Sequence, residues 1–276
     1  MRIDLFDILS VFSFATGACI ASFLNVVIWR VPRGESIVSP PSHCPKCNAA
    51  IKWYQNIPIL SWLALRGKCA NCKESISPRY IIVETAGGLL FLGAFRMLFG
   101  DINDFSPAII LMLLLYWIWF SLLIVGTMID FDLKLLPDFV TVGGMILGLA
   151  FNGAFSVILH SPFYILNSLA GLVSGFGILW LIRFFGSKVF KREAMGMGDV
   201  FLMGAIGAVS GPAAILFTLV FSSVLGSAAG LSLVAISKAR LGRFVEIPFG
   251  PYLAAAHVLY LLYGPEIITW YLAWGK

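Results

Sequence analysis

Apolar runs of bilayer length constrain this chain more than any other feature. Eight of them cover residues 8–29, 80–99, 108–129, 139–159, 163–185, 200–210, 213–237 and 249–263, and short polar segments separate most of them. About 20 apolar residues in a row is what a helix needs to cross roughly 30 Å of hydrocarbon. Composition agrees: 59% of the 276 residues are hydrophobic and 12% are charged, where soluble domains carry about 25% charged residues. The expected fold is therefore an all-α integral membrane protein of about eight transmembrane helices, and the bilayer is its first partner. Two runs strain that count. Residues 200–210 are short for a crossing, and the last run is interrupted by Gly264-Pro265 before resuming to Trp274.

Residues 1–7 hold one base and two acids, unlike the basic start of a cleaved signal, and the run that follows is too long for a signal core. That run is expected to stay as the first span. Loop charge then orients the rest. Residues 30–79 carry Arg30, Arg33, Lys46, Lys52, Arg66, Lys68, Lys73 and Arg79 against Glu35 and Glu74, which places this loop in the cytoplasm. Counting crossings puts residues 100–107, with Asp101 and Asp104, outside. It puts residues 130–138, 188–192 and 238–246 inside, with both termini outside, provided that 200–210 crosses. The expected domains are a first helix at 8–29, a cytoplasmic loop domain at 30–79 and a polytopic domain at 80–276. Nothing in the pattern points to nucleic acid.

The cytoplasmic loop holds Cys44-Pro-Lys-Cys47 and Cys69-Ala-Asn-Cys72, with 21 residues between the pairs. Two such knuckles supply four thiolates for a tetrahedral ion, for which zinc is the usual occupant. Two disulfides or free thiols are the alternative, and a reducing compartment disfavours disulfides. A closed set of four cysteines leaves no position for substrate, so one structural zinc ion is expected. Cys19, inside the first span, reads as a small packing residue. No short internal repeat is apparent.

A second cluster is made of acids. Met128-Ile-Asp130-Phe-Asp132-Leu-Lys-Leu-Leu-Pro137-Asp138 closes one span and opens the next, and Gly196-Met-Gly-Asp199 opens another. Charges at membrane depth are costly and are functional candidates by default. Both segments fall on the same side by counting. Two carboxylates in contact do not both ionise readily, so one keeps a proton while the other serves as base, and together they can drive hydrolysis of a peptide. Three of these acids also suit purely local roles. Asp138 after Pro137 fits a first-turn acid, Asp199 fits an N-cap for a helix starting at Val200, and Asp130 is placed to pair with Lys134. Spacing does not choose between Asp130 and Asp132, because residues two apart do not share a helix face.

Over almost its whole length the chain resembles the bacterial type IV prepilin peptidases, membrane aspartic proteases of the Gly-x-Gly-Asp class. The resemblance is carried by Gly17-Ala-Cys-Ile-Ala-Ser-Phe-Leu-Asn-Val26, the paired knuckles, Asn56-Ile-Pro-Ile-Leu-Ser-Trp62, Leu65-Arg-Gly-Lys-Cys69, Ile76-Ser-Pro-Arg-Tyr80 with Glu84, the segment from Asp130 to Pro137-Asp138, Gly196-Met-Gly-Asp199 and Pro248-Phe-Gly-Pro-Tyr252. It implies Asp130 and Asp199 as the catalytic pair, with Gly196 and Gly198 as supporting loop residues. It implies removal, after a glycine, of the short basic leader of prepilins and pseudopilins at the cytoplasmic face of the bacterial inner membrane. There the charged leader lies in the cytoplasm and an apolar helix follows in the bilayer. Many members also methylate the new N-terminus with S-adenosylmethionine, and Gly67 and Lys68 match the positions tied to that transfer. His43 departs from the arginine usual before the first cysteine, and a surface or supporting role is expected for it. Two rival classes are an ion-coupled transporter and a non-catalytic zinc-loop scaffold for pilus or secretion assembly. Against a transporter, the chain shows no matching pair of broken helices in its two halves and a transporter needs no zinc-binding loop; a scaffold predicts that Asp130→Asn and Asp199→Asn leave leader processing intact.

Overall fold

A computed structural model of the chain describes residues 5–100, 106–193, 195–237 and 247–274. The loop acids Asp101 and Asp104 and the basic segment 238–246 lie outside the described residues. The described fold is helical: α1 (Leu5–Arg30), α2 (Leu60–Ala64), α3 (Arg79–Leu98), α4 (Pro107–Leu133), α5 (Asp138–Ile158), α6 (Phe163–Phe190), α7 (Met197–Ser210), α8 (Pro212–Ser237) and α9 (Gly250–Trp274). It forms two compact units, Met1–Val125 and Gly126–Lys276, and the division falls within α4.

All eight expected spans form helices, but the count of eight crossings is corrected. Among the described residues six helices, namely α1, α3, α4, α5, α6 and α8, are long and apolar enough to cross a membrane, which makes this a multi-pass membrane protein. Helix α7 has 14 residues, about 21 Å at 1.5 Å per residue, and falls short of roughly 30 Å. Helix α9 has 25 residues but is not apolar enough to join the six. The break expected at Gly264-Pro265 does not occur, and α9 runs through Pro265. Proline is tolerated in membrane helices because neighbouring groups or small local adjustments re-satisfy the carbonyl it frees.

In the first unit α1 lies against α3 with their backbones in contact: a Cβ at Gly17 would sit 2.4 Å from the Gly87 carbonyl oxygen. Small residues at such crossings let dispersion forces act where no hydrophobic effect drives helices together. The Trp117 ring of α4 stacks on Phe91 of α3 at 4.7 Å, and its indole donates to the Phe91 carbonyl at 3.2 Å. Cys19 lies on the exposed side of α1 instead of packing inside.

The second unit is organised around α7. Ten of its fourteen residues are buried, from Asp199 to Val209 with Phe201 excepted, under α5, α6, α8 and α9. It meets α6 where Gly171 and Gly207 abut, since a Cβ on either would fall on the other's backbone. A helix that stops inside an apolar layer must find donors for its last carbonyls. Asn152 of α5 provides them, its side-chain amide reaching the carbonyls of Ala208 at 3.1 Å and Val209 at 3.3 Å, and the Ser168 hydroxyl of α6 also donates to Ala208 at 2.5 Å. Gly211, at φ +81°, then turns the chain into α8.

Replacing Asn152 by Ala leaves these carbonyls short of donors. We expect a loss of about 1–3 kcal/mol of stability, read as a lowered unfolding midpoint in detergent, with Asn152→Gln retaining part of it.

Candidate functional site

The acid cluster assembles within the second unit from three chain segments. Asp130 sits in the last turn of α4, which ends where Lys134 takes a left-handed conformation at φ +55° and its amide bonds back to the Asp130 carbonyl at 2.9 Å. Asp199 lies in the first turn of α7. Both carboxylates are buried, with Asp130 5% and Asp199 9% exposed, and they are close enough for their charges to interact. Asp132 and Asp138 are exposed. Burial thus separates Asp130 from Asp132, which spacing alone did not.

Each buried carboxylate is held by a backbone amide. The Gly250 N–H, at the start of α9, donates to Asp130 Oδ2 at 3.1 Å across 120 positions of sequence. Gly196 provides the backbone bond to Asp199. This corrects the N-cap expectation. The cap residue is Gly196, in extended conformation at φ −66° and ψ 150°, and Asp199 stands three places on, reaching back as the third residue of a capping box does. Asp138 is a first-turn acid as expected, with Pro137 one place outside the helix as its cap.

Gly198 is helical, and its value is closeness: a Cβ there would lie 3.0 Å from Leu136 Cβ. Leu136 is also within 3.2 Å of a Cβ placed on Gly250, and that same Cβ would come within 2.6 Å of Asp130 Oδ2. Leu136, Gly198, Gly250 and Asp130 therefore meet at one place. Reasoning from sequence missed the contact of Gly250 with Asp130 and the part played by Leu136. The available signal was Gly250-Pro251 at a helix start, where only a residue without a side chain admits a neighbouring carboxylate.

The cysteine site lies in the first unit. Cys44, Cys47, Cys69 and Cys72 are free thiols, their Sγ atoms all within 4.8 Å of one another and those of Cys44 and Cys72 at 3.9 Å. Thiolates ~2.3 Å from a tetrahedral ion stand roughly 3.8 Å apart, so the four side chains fit a metal ion. The Ala49 backbone amide and the Asn71 side chain, whose nitrogen lies 3.6 Å from the sulfur, bring the Cys47 thiol down to about 6. Metal binding needs that deprotonated form.

The two knuckles are one backbone structure repeated, although in sequence they share little beyond the cysteines. His43 pairs with Ala50 as Lys68 pairs with Ser75. Asn48 and Lys73, each four places after the first cysteine of its pair, are both left-handed. The amides of Ile51 and Ile76 bond to the carbonyls of Ser42 and Gly67 at 3.0 and 2.7 Å. His43 is thus the counterpart of Lys68, exposed, with Nδ1 3.1 Å from the Pro41 carbonyl.

Gly67 is buried at φ +66° under the Trp62 ring, 2.8 Å from where a Cβ would stand, and Lys68 is exposed beside it. With Arg66, Lys73, Leu65, Ala64 and Cys69, Lys68 lines a cleft of about 280 Å³. The segment leading to Trp62 is anchored by Glu84 of α3, whose buried carboxylate accepts the Ile59 amide at 2.7 Å. Ile59 has φ +63°, a conformation that strains a β-branched residue.

A family model described as Bacterial Peptidase A24 N-terminal domain matches residues 15–98, and one described as Type IV leader peptidase family matches residues 117–231. A prepilin leader peptidase/N-methyltransferase of Myxococcus xanthus is 41% identical over 237 residues, which cover 86% of this chain and 66% of that protein. The protein of the same name in Stutzerimonas stutzeri is 37% identical over 94% of this chain and 92% of its own length. A type 4 prepilin-like proteins leader peptide-processing enzyme of Escherichia coli O78:H11 is 35% identical over 86% of this chain and 88% of its own. No solved structure matches the chain.

The cysteine geometry predicts one divalent ion per purified chain by elemental analysis. Cys47→Ser should reduce this to a small fraction of one, and Asn71→Ala should lower retention against a chelator.

Proposed function

The chain belongs to the type IV leader peptidase family, and from that membership we propose that Asp130 and Asp199 cleave the leaders of prepilins and pseudopilins at the cytoplasmic face of the bacterial inner membrane. In the same reading the enzyme methylates the N-terminus so exposed, with S-adenosylmethionine as donor. The observation that carries the aspartate assignment is the placing of two buried carboxylates at one point of the second unit, each on a glycine amide. Burying two acids without a cation between them is costly for a fold, and general acid–base chemistry is what such a pair supplies.

In hydrolysis the ionised aspartate takes a proton from water as the oxygen attacks the scissile carbonyl carbon. The protonated aspartate donates to the carbonyl oxygen. In the collapse of the tetrahedral diol one hydroxyl returns its proton to the second aspartate as the C=O re-forms, the C–N bond breaks, and the departing nitrogen receives the proton held by the first carboxylate. The products are a leader with a free carboxylate and a pilin with a free amine. Gly196 and Gly198 act through Asp199, one by its amide and the other by admitting Leu136. Gly250 acts through Asp130.

Zinc is the ion we assign to Cys44, Cys47, Cys69 and Cys72. Its four thiolate ligands leave it no place for substrate, so it supplies a rigid frame for the loop. Methyl transfer moves CH₃ from the donor sulfonium to the new amine, releasing a proton and the thioether. Gly67 and Lys68 serve it through the cleft beside the second knuckle. Gly67 gives the turn its left-handed, Trp62-covered conformation, and Lys68 with Arg66 and Lys73 presents cations suited to the donor carboxylate.

Asp130→Asn and Asp199→Asn should each abolish leader removal from a prepilin by detergent-purified enzyme, a loss of at least about 10²–10⁴-fold, with expression and metal content unchanged. Cleavage persisting in either variant would overturn the assignment. Gly250→Ala keeps the amide but pushes the Asp130 carboxylate aside, and a displacement near 1 Å can cost about 10²-fold in rate; we expect that loss in kcat with KM little changed. With methyl-labelled S-adenosylmethionine, Lys68→Ala and serine replacements in the knuckles should lower methyl incorporation more than leader removal.

A further inference from the structure

A cleft of about 350 Å³ opens in the second unit, lined by Met195, Ser223, Gly226, Ser227, Phe249 and Tyr252 together with Ile247. Two of its walls adjoin the acid pair through single peptide bonds. Met195 precedes Gly196, whose backbone bonds to Asp199, and Phe249 precedes Gly250, whose amide holds Asp130. The third wall is α8, where Ser223, Gly226 and Ser227 recur at helical spacing on one face. Its level also matches. Asp199 lies 11 residues before the end of α7 at Ser210, and Ser223 lies 11 residues after the start of α8 at Pro212, with Gly211 alone between the helices.

The lining is mainly apolar, from Met195, Ile247, Phe249 and the Tyr252 ring, with the hydroxyls of Ser223 and Ser227 on the α8 wall. Phe249 and Tyr252 approach to 3.5 Å of a Cβ built on Gly226, ordinary contact that leaves the floor open. The Ser223 hydroxyl is bonded within its own helix to the Leu219 carbonyl at 2.7 Å. The Met195 wall is fixed by Arg183, whose Nε donates to its carbonyl at 3.0 Å. Among the described residues no acid or base lines the cleft, so it does not suit the basic leader. The apolar segment that follows the scissile bond does suit it.

We propose that this cleft is the subsite for the first apolar side chain of the prepilin after the scissile bond, with Gly226 and Tyr252 setting the size it accepts. The proposal rests on the aspartate-pair reading and adds to it which end of the substrate lies on the α8 and α9 side of the carboxylates. The scissile carbonyl then faces Asp130 and Asp199, and the apolar helix of the substrate leaves past Tyr252.

The test compares kcat/KM of the purified full-length enzyme on two prepilins that differ only in the residue after the cut, leucine in one and alanine in the other. Wild type should favour leucine by roughly tenfold or more, the usual worth of a few methylenes in an apolar pocket. Gly226→Leu, which fills the floor, should lower kcat/KM on the leucine substrate about tenfold more than on the alanine substrate, chiefly through KM. Tyr252→Ala, which removes a wall, should also shrink the preference, and it tests the same point should Gly226→Leu fail to fold. Absence of any preference in wild type, or parallel losses on both substrates in both variants, overturns the subsite, as does a cleft that only takes a lipid tail. Those outcomes stand apart from failure of the aspartate reading, which would appear as cleavage surviving in Asp130→Asn or Asp199→Asn.

Discussion

Helix α7 ends after 14 residues, inside a layer where water cannot solvate its last carbonyls. That constraint arranges the second unit. Donors must come from protein, so α5 brings Asn152 and α6 brings Ser168 against the carbonyls of Ala208 and Val209. To come so near, α6 gives up side chains at Gly171 and meets Gly207 backbone to backbone. The reward for so short a helix is at its other end. With α5, α6, α8 and α9 enclosing it, the first turn of α7 and the carboxylate of Asp199 lie within protein.

Two buried acids in such a place need fixed partners, or they would turn toward water. Neither of these partners is a cation. Each is a glycine amide at a helix start, Gly196 as the residue before α7 and Gly250 as the first residue of α9. Amides at that position lack an intrahelical acceptor and are free to donate, so the bond satisfies helix and carboxylate together. An arginine or lysine in their stead would hold the acids ionised and remove the proton that acid–base chemistry requires. The choice of amides keeps geometry without fixing charge. For Asp199 the arrangement is the acceptor half of a capping box, which is why helix capping and a functional carboxylate were hard to tell apart from the residues alone; one bond both caps the helix and fixes the carboxylate.

Helix positions were legible because apolar length is a local property, and observed ends of α1, α3, α4 and α5 fall within a few residues of those expected. Crossing number was less legible. A run such as 200–210 reads the same whether it spans lipid or ends within protein, and the difference lies in Asn152 and Ser168, some 40 to 57 positions away. The start of α7 was placed late because Gly-x-Gly suggests a loop, whereas Gly198 is helical and small for the sake of Leu136. In the acid site, residue types and depth were readable. The bond between Asp130 and Gly250 was not, since it joins positions that only the tertiary fold brings together.

The knuckles show how function can be laid on a repeated frame. Residues 42–51 and 67–76 share fold, hydrogen bonds and left-handed fifth positions after the start of each Cys-x-x-Cys, yet in sequence they share little beyond the cysteines and a closing isoleucine. Such a frame could hold a metal ion symmetrically, and symmetry by itself gives neither knuckle a separate task. Their flanks differ. Before the first cysteine stand Ser42 and His43; before the third stand Gly67, with Trp62 over it, and Lys68. Trp62 belongs to the segment that Glu84 of α3 anchors through Ile59, whereas the segment ahead of the first knuckle is held by Arg30 of α1, which donates to the carbonyls of Ser36 at 2.9 Å and Pro40 at 2.7 Å; the cationic cleft lies on the second knuckle. A metal held by the four thiols would stiffen both halves equally, so the difference between the knuckles lies in their flanks. Lys68 stands exposed at the cleft beside Gly67, while His43, its counterpart in the same backbone setting, has Nδ1 3.1 Å from the Pro41 carbonyl; the same frame thus sets a cation beside a cleft on one knuckle and an imidazole against its own backbone on the other.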